Sequence, residues 1–147
     1  MVRPEYRVII AGGRDFAVNP AEKEDNTLLY STMDKLLRNK RRSHRIVIIC
    51  GMAKGADLAG ARYAKDRDYH IRYFPAEWEK YGKKAGVLRN AEMAQNADAL
   101  VAFWDGESPG TRNMIETAKK HSLQVRVIRY SHKPEEQELD EFGYPVY

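Results

Sequence analysis

The stretch ADALVAFWDGESPGTRNMIE, residues 97–116, limits what this chain can fold into more than any other part of it. Asp98 to Trp104 is an apolar run of strand length. Asp105, Gly106, Ser108, Pro109 and Gly110 break it, and from Thr111 to His121 the apolar residues Met114, Ile115 and Ala118 recur at helical spacing. A strand that feeds a helix through a glycine-rich turn directs free backbone N–H groups and the positive end of a helix into one crevice. That crevice suits a phosphate or another anion. Pro109 fits the first helical position behind a Ser108 cap. The hydroxyls of Ser108 and Thr111 serve equally as helix caps or as phosphate donors.

The same pattern occurs twice upstream. Tyr6 to Ala11 is a short β-branched run that ends in Gly12, Gly13, Arg14, Asp15 and Phe16. Ile46 to Cys50 is a second such run, followed by Gly51, Ala53, Gly55 and Asp57 and a helix through Ala64. This second turn lacks the Gly-Lys-Ser/Thr ending of a Walker A loop. Between the two, Asp25 or Asn26 can cap a helix whose stripe is Leu28, Leu29, Thr32, Met33, Leu36 and Leu37. Its end is basic, with Arg38, Lys40, Arg41, Arg42, His44 and Arg45, which reads either as a solvated helix terminus or as a nucleic-acid patch. His70 to Phe74 is a third strand, and Pro75 to Ala85 a polar, aromatic loop. Gly86 to Asn96 is a helix with Leu88 and Met93 as core positions, and Gln124 to Tyr130 is a fifth strand.

Strands that alternate with helices throughout imply right-handed βαβ units. The expected fold is α/β: a Rossmann-like, doubly wound, five-stranded parallel sheet of order 3-2-1-4-5, with helices on both faces. Ligands then sit beyond the carboxyl ends of the strands, where the winding reverses between strands one and four. The three glycine turns converge there. Residues 1–130 form a single domain, and residues 131–147 an acidic tail. That tail carries a net charge of −4 against +4 for the whole chain, so the body carries +8. A basic body suits small anions or nucleic acid, or is a solvated surface.

Each candidate residue has a structural reading beside its functional one. Gly12 and Gly13 let a phosphate approach the backbone or merely permit a tight turn, and Gly51 and Gly55 carry the same ambiguity. Arg14 pairs with a phosphate or with Asp15. Asp57 holds a ribose hydroxyl or simply suits the first turn of a helix. Trp78 and Trp104 stack on a base or close the core. Arg89, next to Asn90, is the preferred anion clamp. Glu116 is a general base or a surface carboxylate. The four histidines are scattered and there is one cysteine, so neither a metal site nor a cofactor is expected. The lone Cys50, the lack of a signal-peptide core and the lack of a 20-residue apolar span suggest a cytoplasmic protein without a membrane segment.

Taken together, Gly12-Gly-Arg-Asp-Phe16, Gly51-x-Ala53-x-Gly55-Ala-Asp57, Pro75-Ala-x-Trp78, Tyr81-Gly-Lys83, Ala85-Gly86, Arg89-Asn90-x-x-Met93, Ala97-Asp98 and Gly110-Thr111 resemble the SLOG superfamily. This Rossmann-like group includes the LOG phosphoribohydrolases and the DNA-processing protein DprA, and the chain looks closest to its small YspA-like branch. The resemblance implies a nucleotide-derived ligand over the glycine turns, in a cytoplasmic protein that pairs as a homodimer. LOG enzymes carry Arg-Lys-x-x-Met and then Pro-Gly-Gly-x-Gly-Thr-x-Glu-Glu. Here Asn90 stands for the lysine, DGESPG (residues 105–110) replaces the double glycine, and Asn113 and Met114 fall where the glutamates belong. Glu116 lies about 200–300° further round the helix.

Three functions follow as alternatives. The first is a module that senses, carries or sequesters a nucleotide. The second is an N-glycosidic hydrolase with Arg89 and a carboxylate among Asp15, Asp57, Asp105 and Glu116. The third, by analogy with DprA, is single-stranded DNA binding.

Overall fold

The computed structural model describes residues 2–132, 141 and 142. Most of the acidic tail expected at 131–147 therefore lies outside the described residues. The elements are β1 (Glu5–Gly12), α1 (Lys23–Leu37), α2 (Lys40–Ser43), β2 (Arg45–Cys50), α3 (Ala56–Asp66), β3 (His70–Tyr73), α4 (Trp78–Tyr81), a 3₁₀ turn (Gly82–Lys84), α5 (Ala85–Gln95), β4 (Ala99–Trp104), α6 (Pro109–Lys120) and β5 (Gln124–Arg129). The five strands form one sheet of order β3-β2-β1-β4-β5. All four pairings are parallel. This is the doubly wound α/β order that the alternation of strands and helices implies, with its reversal between β1 and β4.

β1 lies at the centre, and its run Val8, Ile9, Ile10 is apolar without alternation because both faces of the sheet are covered. Val8 and Ile10 point with Ile46, Ile48, Val101 and Phe103 toward α1 and α3, where Leu29, Met33, Leu37, Ala59 and Tyr63 meet them. Ile9 and Ala11 point with Ile49, Leu100 and Ala102 toward α5 and α6, where Met93, Met114, Ile115 and Ala118 meet them. α3 lies tight on β1, and a Cβ added at Gly60 would come 2.8 Å from Cβ of Ile10. At the amino edge Asp98 precedes β4 rather than belonging to it. Its carboxylate accepts from the Arg7 backbone N–H (2.8 Å) and from the Arg7 guanidinium (3.1 and 3.2 Å), which pins β1 to β4.

Several local expectations are corrected. α1 begins at Lys23, ahead of Asp25 and Asn26, and no side chain caps it. Asp25 instead accepts the backbone N–H of Ala17 (2.9 Å), and the Asn26 amide donates to the carbonyls of Asn19 (2.9 Å) and Glu22 (2.7 Å). Both side chains thus fold the irregular segment after β1 back onto the helix. The basic residues after α1 form a separate turn of helix, α2. Pro75 to Ala85 is not all loop, because Trp78–Tyr81 and the 3₁₀ turn sit within it. Met93 is buried as expected, but Leu88 is 45% exposed, because Ala85, Asn90, Met93 and Ala94 form the inward stripe of α5.

Phe16 fastens the turn after β1. It is fully buried, stacked on Phe103 at 4.9 Å and against Tyr130 at 4.7 Å. Phe16→Ala is expected to cost about 3–5 kcal/mol, read as a shift of the urea unfolding midpoint with an unchanged m-value.

Candidate functional site

At the carboxyl edge of the sheet a cleft of about 700 Å³ opens between the turn after β1, the turn after β2, α5 and the start of α6. Of the residues singled out from sequence, Gly12, Gly13, Arg14, Asp15, Ala53, Asp57, Trp78, Arg89, Asn90, Asp105, Ser108, Gly110 and Thr111 line it. Gly51, Gly55, Trp104 and Glu116 do not.

The turns after β1 and β2 are fastened to each other. The Gly13 N–H donates to the Phe103 carbonyl of β4 (3.0 Å), and the Gly13 carbonyl accepts from Ala56 at the start of α3 (3.1 Å) and from Phe16 (3.3 Å). Gly55 passes directly over this peptide with φ +91°, a conformation that favours glycine. A Cβ there would run into the Gly13 carbonyl and come 2.7 Å from Cα of Arg14. Gly55 is thus a packing glycine behind the cleft, and the first N–H of α3 is spent on protein rather than left for a ligand.

Asp57 forms the floor. It is 5% exposed, accepts from the Ala53 N–H (3.3 Å), and also takes a backbone hydrogen bond from Gly12. Burial pushes its carboxyl up to about 6, against the pull of Arg89, those backbone donors and Arg14. Arg89, reaching over from α5, donates Nη1 to the Gly51 carbonyl and Nε to Asn90 Oδ1 (3.0 Å). Gly51 has no room for a side chain, since a Cβ would lie 2.7 Å from Oδ2 of Asp57 and 2.9 Å from Nη1 of Arg89. Asn90 is buried and donates to Asn113 Oδ1 on α6 (3.0 Å). Neighbouring Cys50 is buried and its thiol is pushed up to about 11, chiefly by that burial, which leaves it inert as a nucleophile.

The third turn holds itself open through Asp105. Its carboxylate accepts from the backbone N–H groups of Glu107 and Ser108 (both 2.8 Å) and from the Ser108 hydroxyl (3.0 Å), and these bonds hold it below the usual carboxylate range. Ser108 occupies the position before α6 with Pro109 first in the helix, as the spacing predicts. Its hydroxyl, however, serves Asp105 and does not cap the helix. Gly110 and Thr111, in the first turn of α6 where N–H groups have no intrahelical partners, line the cleft. Arg14 and Lys83 are exposed at the rim. Trp78 and Val87, 51% and 53% exposed, add apolar surface on the far wall, where Trp78 lies over Gly86.

Two candidates lie elsewhere. Trp104 donates to the Ser108 carbonyl (3.1 Å), and the Arg112 and Arg129 guanidiniums stack on its ring at 5.5 and 5.3 Å. Glu116 is exposed on α6, outside the cleft. Asp15 lines the cleft but also accepts from Tyr130 Oη (2.5 Å) and lies 3.4 Å from His132. His132 also meets Asp25 at 2.9 Å, and that partner raises its pKa. Lys83, Val87 and Asn113 are lining residues that the sequence reading did not single out as site candidates. Lys83 sits within the Tyr81-Gly-Lys83 motif, whereas nothing in the order of residues signals that Asn113 faces Asn90. Among the described residues no group of three His, Cys, Asp or Glu side chains is placed to hold a metal ion, and no helix is long and apolar enough to cross a membrane.

Comparison with known proteins places these features in one family. The chain belongs to the YspA, cpYpsA-related SLOG family, whose model matches residues 6–81 and so covers the turns after β1 and β2 and reaches α4. It is 35% identical over 134 residues to the gene 61 protein of Mycobacterium phage D29, an alignment that spans 87% of this chain and 98% of the phage protein. Two crystal structures share the fold at low identity. TM1055, a structural genomics target, superposes with a TM-score of 0.60 at 15% identity, over 82% of this chain and 72% of that one. The DNA processing protein A (DprA) of Streptococcus pneumoniae superposes with a TM-score of 0.62 at 14% identity, over 88% of this chain. The match spans only about half of DprA, 52% of its chain.

The raised Asp57 carboxyl has a consequence for stability. Below about pH 4 the group is protonated whether the chain is folded or unfolded. Between about pH 4 and pH 6 the unfolded chain releases the proton and the folded chain keeps it, so this group lowers stability as pH rises through that window, with no further change above it. Urea unfolding between pH 4 and 7 should show wild type losing stability relative to Asp57→Asn across the window. Parallel profiles would remove Asp57 as the titrating group.

Proposed function

We propose that this protein binds a nucleotide or nucleotide-derived small molecule in the cleft and serves as a sensor, carrier or sequestering module. The observation that carries the reading is the distribution of donors around the cleft. The N–H groups of Gly12, Gly13, Ala53 and Ala56 are spent on Asp57, Phe103 and Gly13, while the start of α6, Arg14, Lys83 and Arg89 surround one space of nucleotide size. On this reading the α6 terminus and the cations take the phosphate. Trp78 and Val87 contact the base. The binding unit is residues 1–130, in a cytoplasmic homodimer.

A second reading is N-glycosidic hydrolysis. The feature in its favour is Asp57, whose carboxyl is pushed up to about 6 by burial, toward the range a general acid or base uses. Against it, each carboxylate on the cleft is already committed: Asp15 to Tyr130, Asp57 to backbone N–H groups, and Asp105 to its own turn. Glu116 is outside. Single-stranded DNA binding through the basic body rests on the DprA likeness, which extends to the fold alone.

The test is native mass spectrometry of the purified protein with nucleoside monophosphates, ADP-ribose, NAD and cyclic dinucleotides, read for both complex and free products. An intact ligand riding on the protein is expected. Arg89→Ala should weaken it about 10- to 100-fold, the scale of a lost charge-assisted hydrogen bond, and Trp78→Ala about 10-fold, the scale of a lost stacking contact. Glu116→Ala should leave it within about twofold, the scale of a surface change that removes no contact to the ligand. A released base would establish the hydrolase, and equal small effects from Arg89→Ala and Glu116→Ala would overturn the assigned cleft.

A further inference from the structure

The amino edge of the sheet, opposite the cleft, carries a second charged surface that the proposed ligand site does not use. From residue 35 to residue 56 the chain has no acid, while Lys35, Arg38, Lys40, Arg41, Arg42, Arg45 and Lys54 are all basic. The fold gathers most of these cations. α2 presents Arg41 and Arg42 to solvent, Arg38 precedes it, and Arg45 opens β2. The Arg45 N–H bonds the Pro4 carbonyl (2.9 Å), and the Arg3 guanidinium reaches the Arg41 carbonyl (3.4 Å), which adds Arg3 to the group. Arg41, His44, Arg45 and His70 line a hollow of about 440 Å³, and Asp68 is the one acid on its wall.

Apart from Asp68, three carboxylates feel these cations, and each is bound by an arginine outside the patch. Glu5, within the field of Arg45, is bound by Arg72 at 2.5 Å. Asp34, within that of Arg41, is bound by Arg67 at 2.8 Å. Asp98, within that of His44, is bound by Arg7 at 3.1 Å. Among the described residues none of Arg38, Lys40, Arg41, Arg42 and Arg45 makes an ion pair. Among the described residues, the fold thus engages Glu5, Asp34 and Asp98 from outside the patch and leaves Asp68 as the acid on its wall, so the patch keeps an excess of positive charge that an anion would offset.

We infer that this surface docks on the phosphate backbone of duplex DNA, independently of sequence. The patch is mostly arginine, which suits phosphate oxygens through paired N–H donors. It has no base-stacking platform, because Tyr6 lies under Lys40 (4.8 Å) and edge-on to His44 (6.0 Å), and Tyr69 packs on Tyr63 at 6.0 Å. The exposed rings of Tyr73, Trp78 and Tyr81, which a single strand would need, stand toward the cleft edge. Val2 is the exposed large apolar residue that adjoins Arg3, far short of the apolar face with which a peripheral helix enters a membrane. A four-residue α2 does not fill a major groove, so no base readout is implied.

The test uses the full chain with a fluorescent duplex of about 30 base pairs, the matching single strand, and vesicles containing anionic lipid. For about four neutralised phosphates, duplex affinity should fall about 100-fold between 50 and 200 mM salt. R41E/R45E should lower affinity at least 10-fold and reduce the salt slope by about two phosphates. K23E/K80E makes the same charge change on the cleft side and should leave the slope unchanged. Circular dichroism establishes that both variants are folded, and R38E/R42E serves as a second reading of the patch. Equal losses from the R41E/R45E and K23E/K80E variants, tighter binding to the single strand or to vesicles, or no salt-dependent duplex binding would each overturn the assignment.

Discussion

The peptide of Gly13 is the joint on which this molecule turns. Its N–H reaches β4 and its carbonyl caps the start of α3, so one residue ties together the two halves of the sheet and the helix that crosses from β2 to β3. Everything at the carboxyl edge is placed relative to that joint. Gly55 must be a glycine to pass over it, Phe16 must be buried to hold the turn that makes it, and Asp57 can sit where it does because the turns on either side of it cannot separate. A rigid floor follows, and the side chains of variable reach come from its edges: Arg14, Trp78, Lys83 and the α5 wall.

The two basic features of the chain are used differently by the fold. At the cleft, cations alternate with carboxylates already engaged by backbone N–H groups or by Tyr130, so the field is local and directional. At the amino edge the acids are drawn away by Arg7, Arg67 and Arg72, and the field is broad. A net charge alone does not distinguish these cases. The partners of each carboxylate do.

The sheet order was legible because each strand is a short β-branched or apolar run between turn residues, and each crossover is long enough for one helix. What escaped were elements too short to have a period: α2 and α4 have four residues each. Leu88 was misplaced because two adjacent apolar residues, Val87 and Leu88, look like part of a stripe, whereas the buried face of α5 includes a polar Asn90 satisfied across the interface by Asn113. At the site, the sequence marked where the turns converge. It did not mark which N–H groups remain for a ligand, since that depends on Phe103 and Asp57, which lie far along the chain from the Gly13 and Gly12 donors they satisfy. Trp104 shows the same limit, because its place at the end of β4 does not disclose that two arginines stack on its ring.

Arg89 already holds a partner in the protein alone, the carbonyl of Gly51. An incoming anion therefore meets an occupied donor, and association is an exchange of one acceptor for another. A peptide carbonyl carries a partial charge and a phosphate a full one, so the exchange favours charged groups over neutral ones of the same shape. A bare nucleoside gains little from displacing the carbonyl, whereas its phosphorylated form gains the difference. If the cleft takes an anion as proposed, it discriminates by charge through a bond made before that ligand arrives.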